Sequence, residues 1–421
     1  NVVQESAALA FGLLQDDSDE NREFLIDIIT DPKDQFNASF VRPFAAISLG
    51  LLGGENEKYD QTYEALTSVL ARKETKKDIK PSCLVAIGLL ENDQSVPGLL
   101  FMLENRKVDA KGADELSDVE LAFAVQALGK IGAPGTEENP TAVVDAITAA
   151  LTGKGKKKAD TNVRRSAAIA LGQIAPLCDT KTQTAIIKTL KTTAKDGGDA
   201  SEKNFAMVAL GRLAASEGVD PKVRGSVIDA LQYYLEKGKP ANLARPFAGL
   251  SMGLIGRSAK NEEKVNKPLR QKFAEGGEPR ARGAYAIASG LVKDALAVPE
   301  LTDVLNDRGA DKRLRGYTAV ALGMIGDSNA KEAIRATLTD ENDRDLRKQT
   351  AVAAGLMGDA TVIEDLVEIL KSGEESQYIL GSVALALGQI GDERAIKPLL
   401  DISADTEKKY PDITRALATV A

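Results

Sequence analysis

The chain has 421 residues, of which 43% are hydrophobic and 28% charged, so it is too long for one compact core and too apolar for a disordered segment. Its formal net charge of −8 disfavours a binder of duplex nucleic acid, which would normally carry a basic surface. The sequence contains no histidine, which excludes serine–histidine and cysteine–histidine catalysis, histidine metal ligands and a histidine general base.

A segment of about twelve residues recurs along the whole chain, and its copies align on a glycine. It is clearest in Val41–Leu52, Val163–Ile174 and Leu314–Ile325. The anchor glycines are Gly12, Gly50, Gly88, Gly129, Gly172, Gly211, Gly253, Gly290, Gly323, Gly355 and Gly388. They are 32 to 43 residues apart, a spacing that is typical of stacked two-helix units.

Each anchor segment is followed by a turn, often Gly-Asp, and then by a second apolar segment with helical periodicity. Val362–Leu370 and Ala395–Ile402 are examples of this second segment. The pattern predicts a helix–turn–helix unit that is repeated about eleven times, without any convincing strand.

The anchor pattern, Val-Arg-x-x-Ala-x-x-Ala-Leu-Gly-x-Ile, resembles HEAT-like repeats, in particular the short variety named after phycobilisome bilin lyases. The resemblance covers essentially the whole chain and implies an all-α, right-handed α-solenoid of the armadillo-like type. We interpret residues 1–421 as a single continuous array, with longer repeats and loop insertions in 1–270 and short regular repeats in 271–421. Such a motif identifies a fold well and a function poorly.

Positions within a repeat are counted from the anchor glycine. Position −2 is Ala or Ser in all eleven copies, which would let a neighbouring helix approach closely. Position −1 belongs to a core stripe, and a second apolar group lies at −6, −3 and +1. The aromatic residues at −6 are predicted to be core, and so is Cys83, as a free thiol. These aromatic residues are Phe44, Phe123, Phe205, Phe247 and Tyr317.

Positions −7, −4 and the glycine itself form a face that is rich in Pro, Ala and Gly and is expected to see solvent. Pro43, Ala46 and Gly50 illustrate it in the second copy. One interpretation is that small residues let the inner helices crowd together on the concave side of the superhelix. The other is a smooth groove that accepts another helix or an extended peptide.

Position −8 carries a row of basic residues, which we call the basic row and regard as a candidate partner-binding surface. It lies in the first helical turn, where the helix dipole disfavours a cation by ~0.3–1 kcal/mol, so some group must compensate. One hypothesis is a structural ladder of Arg–Asp bonds that uses upstream residues such as Asp160, Asp311 and Asp343. The other is a cationic track for an acidic partner. The basic row consists of Arg42, Lys80, Arg164, Lys203, Arg245, Arg282, Arg315 and Arg347.

Insertions between a second helix and the next anchor helix are rich in lysine. Insertions on one edge of a solenoid often build its binding face. We nevertheless favour solvated loops over the binding of an anionic partner, and no aromatic residue is interleaved to stack bases. The insertions are predicted at 72–80, 104–118, 152–162, 191–204 and 236–242. The candidate loop-edge contacts are Lys76, Lys77, Lys154, Lys156, Lys157 and Lys158.

Three functions are compatible with these patterns: a protein-binding scaffold or assembly component, a binder of nucleic acid or another polyanion through the lysine edge, and an enzyme or accessory of the bilin-lyase type. Deoxyhypusine hydroxylase, a HEAT-like enzyme, takes its iron ligands from His-Glu pairs, and this sequence has no histidine. We predict a non-catalytic scaffold with one or more protein partners, no cofactor, no metal site and no membrane span.

The two ends of the chain lack the polar capping repeats that solenoids need. The first residues fall within an anchor segment, and Ala421 falls where a twelfth anchor glycine is expected. We therefore expect the array to continue beyond both ends, or to belong to a larger assembly.

Overall fold

The structure of this chain is a computed structural model. It describes residues 2–31, 40–72, 78–109, 115–135, 139, 141–154, 159–237, 244–258, 263–340, 343–372, 376–405 and 409–421. These residues form 23 α-helices that are joined by turns and short 3-10 segments, and they contain no strand. The prediction of an all-α repeat fold is confirmed.

The helices alternate between two kinds, and all eleven anchor glycines lie on odd-numbered helices. The anchor helices are α1 (Val2–Leu14), α3 (Val41–Leu52), α5 (Ile79–Leu89), α7 (Asp118–Ile131), α9 (Thr161–Ile174), α11 (Ala200–Ala215), α13 (Ala244–Ser258), α15 (Pro279–Leu291), α17 (Lys312–Ile325), α19 (Arg344–Met357), α21 (Gln377–Ile390) and α23 (Asp412–Val420). The second helices are α2 (Asp19–Thr30), α4 (Asn56–Ala71), α6 (Val96–Asn105), α8 (Ala142–Thr152), α10 (Thr180–Asp196), α12 (Pro221–Lys237), α14 (Glu263–Ala274), α16 (Val298–Asn306), α18 (Lys331–Asp340), α20 (Ile363–Ser372) and α22 (Glu393–Ser403).

The recurring Gly-Asp turn ends an anchor helix and starts the next segment. In three copies its glycine has φ between 66° and 76°, a left-handed conformation that glycine adopts without steric cost. The aspartate carboxylate then accepts the backbone N–H two residues further on, which caps the following helical turn. These pairs are Gly326-Asp327, Gly358-Asp359 and Gly391-Asp392.

The last of these turns gives a titration prediction. Hydrogen bonds from the side chain and the backbone N–H of Arg394 lower the pKa of Asp392 to about 2, from an ordinary value of 3.8. Because the folded-state pKa is depressed, the stabilisation is fully present above pH 3.8 and is lost as the pH falls towards ~2. We expect a carboxyl titration followed by NMR to place Asp392 near pH 2, and Arg394→Ala to move it towards 3.8. An unchanged midpoint in Arg394→Ala would contradict this assignment.

The chain divides into two compact units. The first contains residues 1–213 and 218–220, and the second contains residues 214–217 and 221–421. Within the first unit α1, α3, α5, α7 and α9 stack in chain order, and within the second unit α13 to α23 stack through their odd-numbered members. With the exception of α10, the second helices pack most extensively on the anchor helix that follows them, as α2 does on α3 and α16 on α17.

The core lies between the layer of anchor helices and the layer of second helices. The leucine at position −1 is completely buried in both units, as Leu49, Leu171 and Leu322 illustrate. Cys83 is also fully buried and is a free thiol, as predicted. Burial of these side chains supplies the main stabilisation, at roughly 1.5–3 kcal/mol for each large aliphatic group.

Consecutive anchor helices approach each other at the anchor glycine. A Cβ atom on Gly50 would lie 2.7 Å from Cα of Ala86, and one on Gly172 would lie 2.8 Å from Cα of Ala209. Both alanines hold position −2, so the predicted close approach at this position is confirmed. A Cβ atom on Gly388 would meet Cα of Ala421 at 2.6 Å in the same way. Ala421, which directly follows α23, therefore holds position −2, and the expectation that it falls at the position of a twelfth anchor glycine is wrong by two residues.

Candidate functional site

The arginines of the basic row reach back to the helix that precedes them. In four repeats the guanidinium Nε donates to a backbone carbonyl in the last turn of the preceding second helix. These carbonyls have no partner within their own helix and lie at the negative end of its dipole. The pairs are Arg42 with Ile29 (3.2 Å), Arg282 with Phe273 (3.1 Å), Arg315 with Leu305 (2.9 Å) and Arg347 with Leu338 (3.2 Å).

The side chains of the remaining members of the basic row are also buried or half-buried. The Lys80 side chain is buried, and Nη2 of Arg164 lies 3.3 Å from a carboxylate oxygen of Glu202. Lys203 and Arg245 are half-buried. Arg42 and Arg315 are only 4% exposed, so these two guanidinium groups present almost no surface to a partner.

The upstream aspartates have a different role from the one proposed for an Arg–Asp ladder. Asp160, Asp311 and Asp343 each accept a backbone N–H in the first turn of the anchor helix that they precede. They are therefore N-caps. For Arg42, Arg282, Arg315 and Arg347 the compensating negative charge lies at the carbonyl end of the preceding helix, which the sequence pattern does not reveal.

The lysine edge lies mostly in the part of the chain that the structure does not describe. Lys76, Lys77, Lys156, Lys157 and Lys158 are outside the described residues. Lys154 is described and is exposed just after α8. The predicted insertion at 191–204 is largely helical, because α10 extends to Asp196 and α11 begins at Ala200.

The face of Pro, Ala and Gly is not open to solvent. Pro43, Ala46 and Gly50 are buried in α3, as Gly316 and Gly323 are in α17. These positions meet the next anchor helix, which is why they must be small. The interpretation as helix crowding agrees with this burial, and the interpretation as an open groove is wrong.

The exposed side of the anchor helices is instead lined by positions −6, −3 and +1, which we call the apolar stripe. Its members are half-buried or exposed, so the prediction that the aromatic residues at −6 are core is wrong: Tyr317 is 37% exposed. In the second unit the apolar members of the stripe are Phe247, Leu250, Leu254, Ile287, Leu291, Tyr317, Val320, Met324, Val352, Leu356 and Leu385, and Ala284, Gln349, Ser382 and Gln389 interrupt them. In the first unit it includes Phe44, Ile47, Leu51, Val85, Leu89, Phe123 and Ile169, and is interrupted by Gln126, Lys130 and Gln173.

The first unit has a hollow of about 240 Å³ on this stripe, between α5, α7 and α9. Apolar groups of Val85, Leu89, Phe123 and Ile169 line it. The side-chain amide of Gln126 also lines the hollow and donates to the hydroxyl of Ser166 at 2.9 Å. The hollow can accept one apolar side chain beside a polar amide.

A larger apolar groove of about 520 Å³ lies on the other layer of the first unit, between α6 and α8. Leu100 and Leu103 form one wall, and Ala142 and Ala146 form the other. Residues 136–138 and 155–158, which flank α8 in the chain, are outside the described residues.

No group of three or more Cys, Asp or Glu side chains among the described residues is placed to hold a metal ion. None of the described helices combines the length and apolar character that a membrane span requires.

Comparison with known proteins indicates a repeat family. Residues 266–355 and 337–420 match a family model described as HEAT repeats. A search of curated protein sequences finds no match. Among solved structures, the chain is similar to Kap121p, with a TM-score of 0.44 and 13% identity over 97% of this chain and 46% of that one. It thus spans about half the length of Kap121p.

Two further structures illustrate the range of similarity. Importin beta has a TM-score of 0.36 and 12% identity, covering 91% of this chain and 59% of that one. Human deoxyhypusine hydroxylase has a TM-score of 0.29 and 17% identity, covering 85% of this chain and 97% of that one.

Proposed function

This chain is a HEAT-like repeat protein, and on that premise we propose that it is a non-catalytic scaffold that binds protein partners. The apolar stripe on the exposed side of the anchor helices is the observation that carries the proposal. Contiguous apolar surface on a soluble protein marks an interaction site more often than isolated exposed residues do.

The outward side of the stripe is not required for the contacts that build the repeat. Packing between successive anchor helices uses positions −7, −4, 0 and −2, together with the inner edges of some side chains at −6 and +1, as Tyr317 and Met324 show against Gly283 and Gly290. The core between the two layers uses position −1. Polar side chains at −3 and +1 would serve both contacts equally well, as Gln126 and Lys130 do in the first unit. Covering one half-exposed leucine with a partner contributes about 1 kcal/mol, so five or six such groups support a specific interface.

The hollow on the first unit adds a feature that a flat stripe lacks. Interfaces are anchored by a few side chains that fill desolvated pockets, and the hollow beside Phe123 has the size and lining for one such group. The lysine edge supports no second candidate function, because all its candidate lysines except Lys154 lie outside the described residues.

We expect substitution of the stripe to abolish partner retention without unfolding the protein. The test variant is Leu291→Gln with Leu356→Gln, since both residues hold position +1 and Leu356 is 44% exposed. Tagged full-length chains are purified from the native source, and the retained proteins are quantified by mass spectrometry. Loss of two anchoring groups worth about 2 kcal/mol in total corresponds to at least a ~10-fold fall in the retained partners.

The matched control is Ile396→Gln with Leu400→Gln, which removes two apolar groups of greater exposure from second helix α22. Ile396 and Leu400 are 56% and 62% exposed. Equal loss of partners in both variants would mean that any exposed apolar patch is responsible. Full retention by the stripe variant would overturn the proposed function.

A further inference from the structure

Three arginines of the second unit lie next to the apolar stripe and have no partner among the described residues. Arg280, Arg313 and Arg344 lie in the first turns of α15, α17 and α19 and are exposed. We call them the arginine rim. They differ from the basic row, in which Arg315 donates to a buried carbonyl, and from Lys312, which pairs with Asp343 at 3.0 Å.

The arginine rim does not stabilise the helices that carry it. A cation in the first turn opposes the helix dipole, at a cost of ~0.3–1 kcal/mol for each residue. Glu278, Asp311 and Asp343 accept backbone N–H groups as N-caps and, like Asp345, keep their negative charge. Residues 278–282, 311–315 and 343–348 hold eight basic and four acidic side chains, so these helix starts stay net positive.

The rim and the stripe form one surface. Arg313, Tyr317, Val320 and Met324 follow each other at spacings of four, three and four residues, which places them along one side of α17. Arg313 and Tyr317 also line the same hollow of about 570 Å³ beside α19, together with Lys312, Lys348 and the aspartates Asp311, Asp343 and Asp345. Arg280 holds the position of Arg313 on α15, whereas on α19 Arg344 lies one residue earlier and Asp345 holds that position.

The dimensions of this surface suit a single helical segment. Packed helices are ~8–10 Å apart, so the surface that crosses α15, α17 and α19 is roughly 20 Å wide. A helix of about 13 to 16 residues has this length at ~1.5 Å per residue.

We propose that this surface binds an acidic, amphipathic segment of a partner protein. The apolar side chains of the segment cover the stripe of α15, α17 and α19, and its carboxylates pair with the arginine rim. The inference rests on the proposed function and adds the chemical class of the partner. Arginine is suited to this role because its planar guanidinium binds a carboxylate through two parallel hydrogen bonds.

A protein segment fits this surface better than a polyanion does. Nucleic acids and anionic membranes are held mainly by many phosphate contacts, and the rim has three arginines in a chain whose formal net charge is −8. The adjoining surface is aliphatic, with Ile287, Val320 and Val352 at position −3. Such groups are matched by apolar side chains and not by phosphate.

The test is selection of displayed random peptides of about 16 residues against the full-length chain, followed by anisotropy measurements on the selected peptides. We expect the selected sequences to carry Asp or Glu together with apolar residues at helical spacing. Reversal of the rim with Arg280→Glu, Arg313→Glu and Arg344→Glu should lower their affinity about 30-fold, which is ~2 kcal/mol.

A matched control separates the rim from bulk charge. Lys267→Glu, Lys371→Glu and Lys397→Glu make the same change in net charge at exposed positions on second helices and should alter affinity less than about threefold. Rim reversal should leave the thermal midpoint unchanged or raise it, because glutamate is favoured in a first helical turn. A lower midpoint, or equal effects in both triple variants, would overturn the inference.

The remaining outcomes distinguish this inference from the proposed function. The selected peptides could lack acidic residues and bind the rim-reversal variant with unchanged affinity, but bind the Leu291→Gln/Leu356→Gln variant more weakly. In that case the inference is wrong and the proposed function stands. If no selected peptide depends on the stripe, both are wrong. Binding of oligothymidylate or phosphatidylserine vesicles that depends on the rim and not on the stripe would replace the protein segment with a polyanion.

Discussion

Replacement of Gly323 by alanine should destabilise the second unit by about 2–3 kcal/mol. The added Cβ atom would lie 2.6 Å from Cα and 3.0 Å from the carbonyl carbon of Ala353 in α19. These are backbone atoms, so relief requires that α17 and α19 move apart. Separation of the two helices would disturb the packing along their whole contact, which outweighs the gain of up to ~1 kcal/mol that alanine brings to a helix interior.

Gly225 provides the matched control, because it is also a helical glycine of the second unit. A Cβ atom on Gly225 in α12 would meet no other atom within 4 Å. Gly225→Ala should therefore be neutral or stabilise the unit by up to ~1 kcal/mol. Hydrogen–deuterium exchange of peptides from α17 and α19 reports the local free energy of opening. Similar exchange in the two variants would mean that the anchor glycine is not required for helix approach.

The register of the repeat could be predicted from the sequence because the same pattern of residues recurs in many copies. Eleven copies place glycine at one position and Ala or Ser two residues earlier. A requirement for small side chains is visible without knowledge of the neighbour that imposes it. Ala86, at position −2, is therefore predicted to lie at a close helix approach, and the structure places it against Gly50 of the preceding anchor helix.

The direction of that approach could not be predicted. The anchor helix has a wide apolar arc, and periodicity alone does not tell which edge of the arc faces the next repeat. Small residues such as Ala46 and Gly50 were assigned to a solvent face, but they are buried against the next helix. Ile47 and Phe44 were assigned to the apolar interior, but they are half-exposed. The arrangement depends on how one repeat stacks on the next, which no single repeat encodes.

The groups that compensate the positive charges of the basic row could not be predicted from the sequence either. The sequence shows that a cation occupies an unfavourable helical turn and that aspartates precede several copies. The sequence does not show where a backbone carbonyl will lie, whereas it does show side-chain partners such as Asp311. The arginine rim cannot be recognised from the sequence for a related reason: Arg313 and Arg315 are two residues apart, and only their surroundings in the fold distinguish them.

Arg313 and Arg315 therefore form the sharpest matched pair in the chain. Arg315→Ala should lower the free energy of unfolding by about 2–3 kcal/mol, because it removes a charge-assisted hydrogen bond of 2.9 Å to the Leu305 carbonyl and empties a buried space. Arg313→Ala removes an exposed, unpaired side chain two residues earlier and should change stability by less than about 0.5 kcal/mol. Denaturant unfolding followed by circular dichroism measures both values.

The same two variants decide between the hypotheses for the basic row when binding is measured as well. If the basic row is structural, Arg315→Ala weakens the fold and leaves the salt dependence of acidic-peptide binding unchanged, whereas Arg313→Ala reduces that dependence and leaves the fold intact. The opposite pattern, with a stable Arg315→Ala protein that loses salt-dependent affinity, would make the basic row the cationic track. We expect the structural outcome because Arg315 is buried: a guanidinium that is 4% exposed can reach a carbonyl beside it but not a carboxylate in solvent.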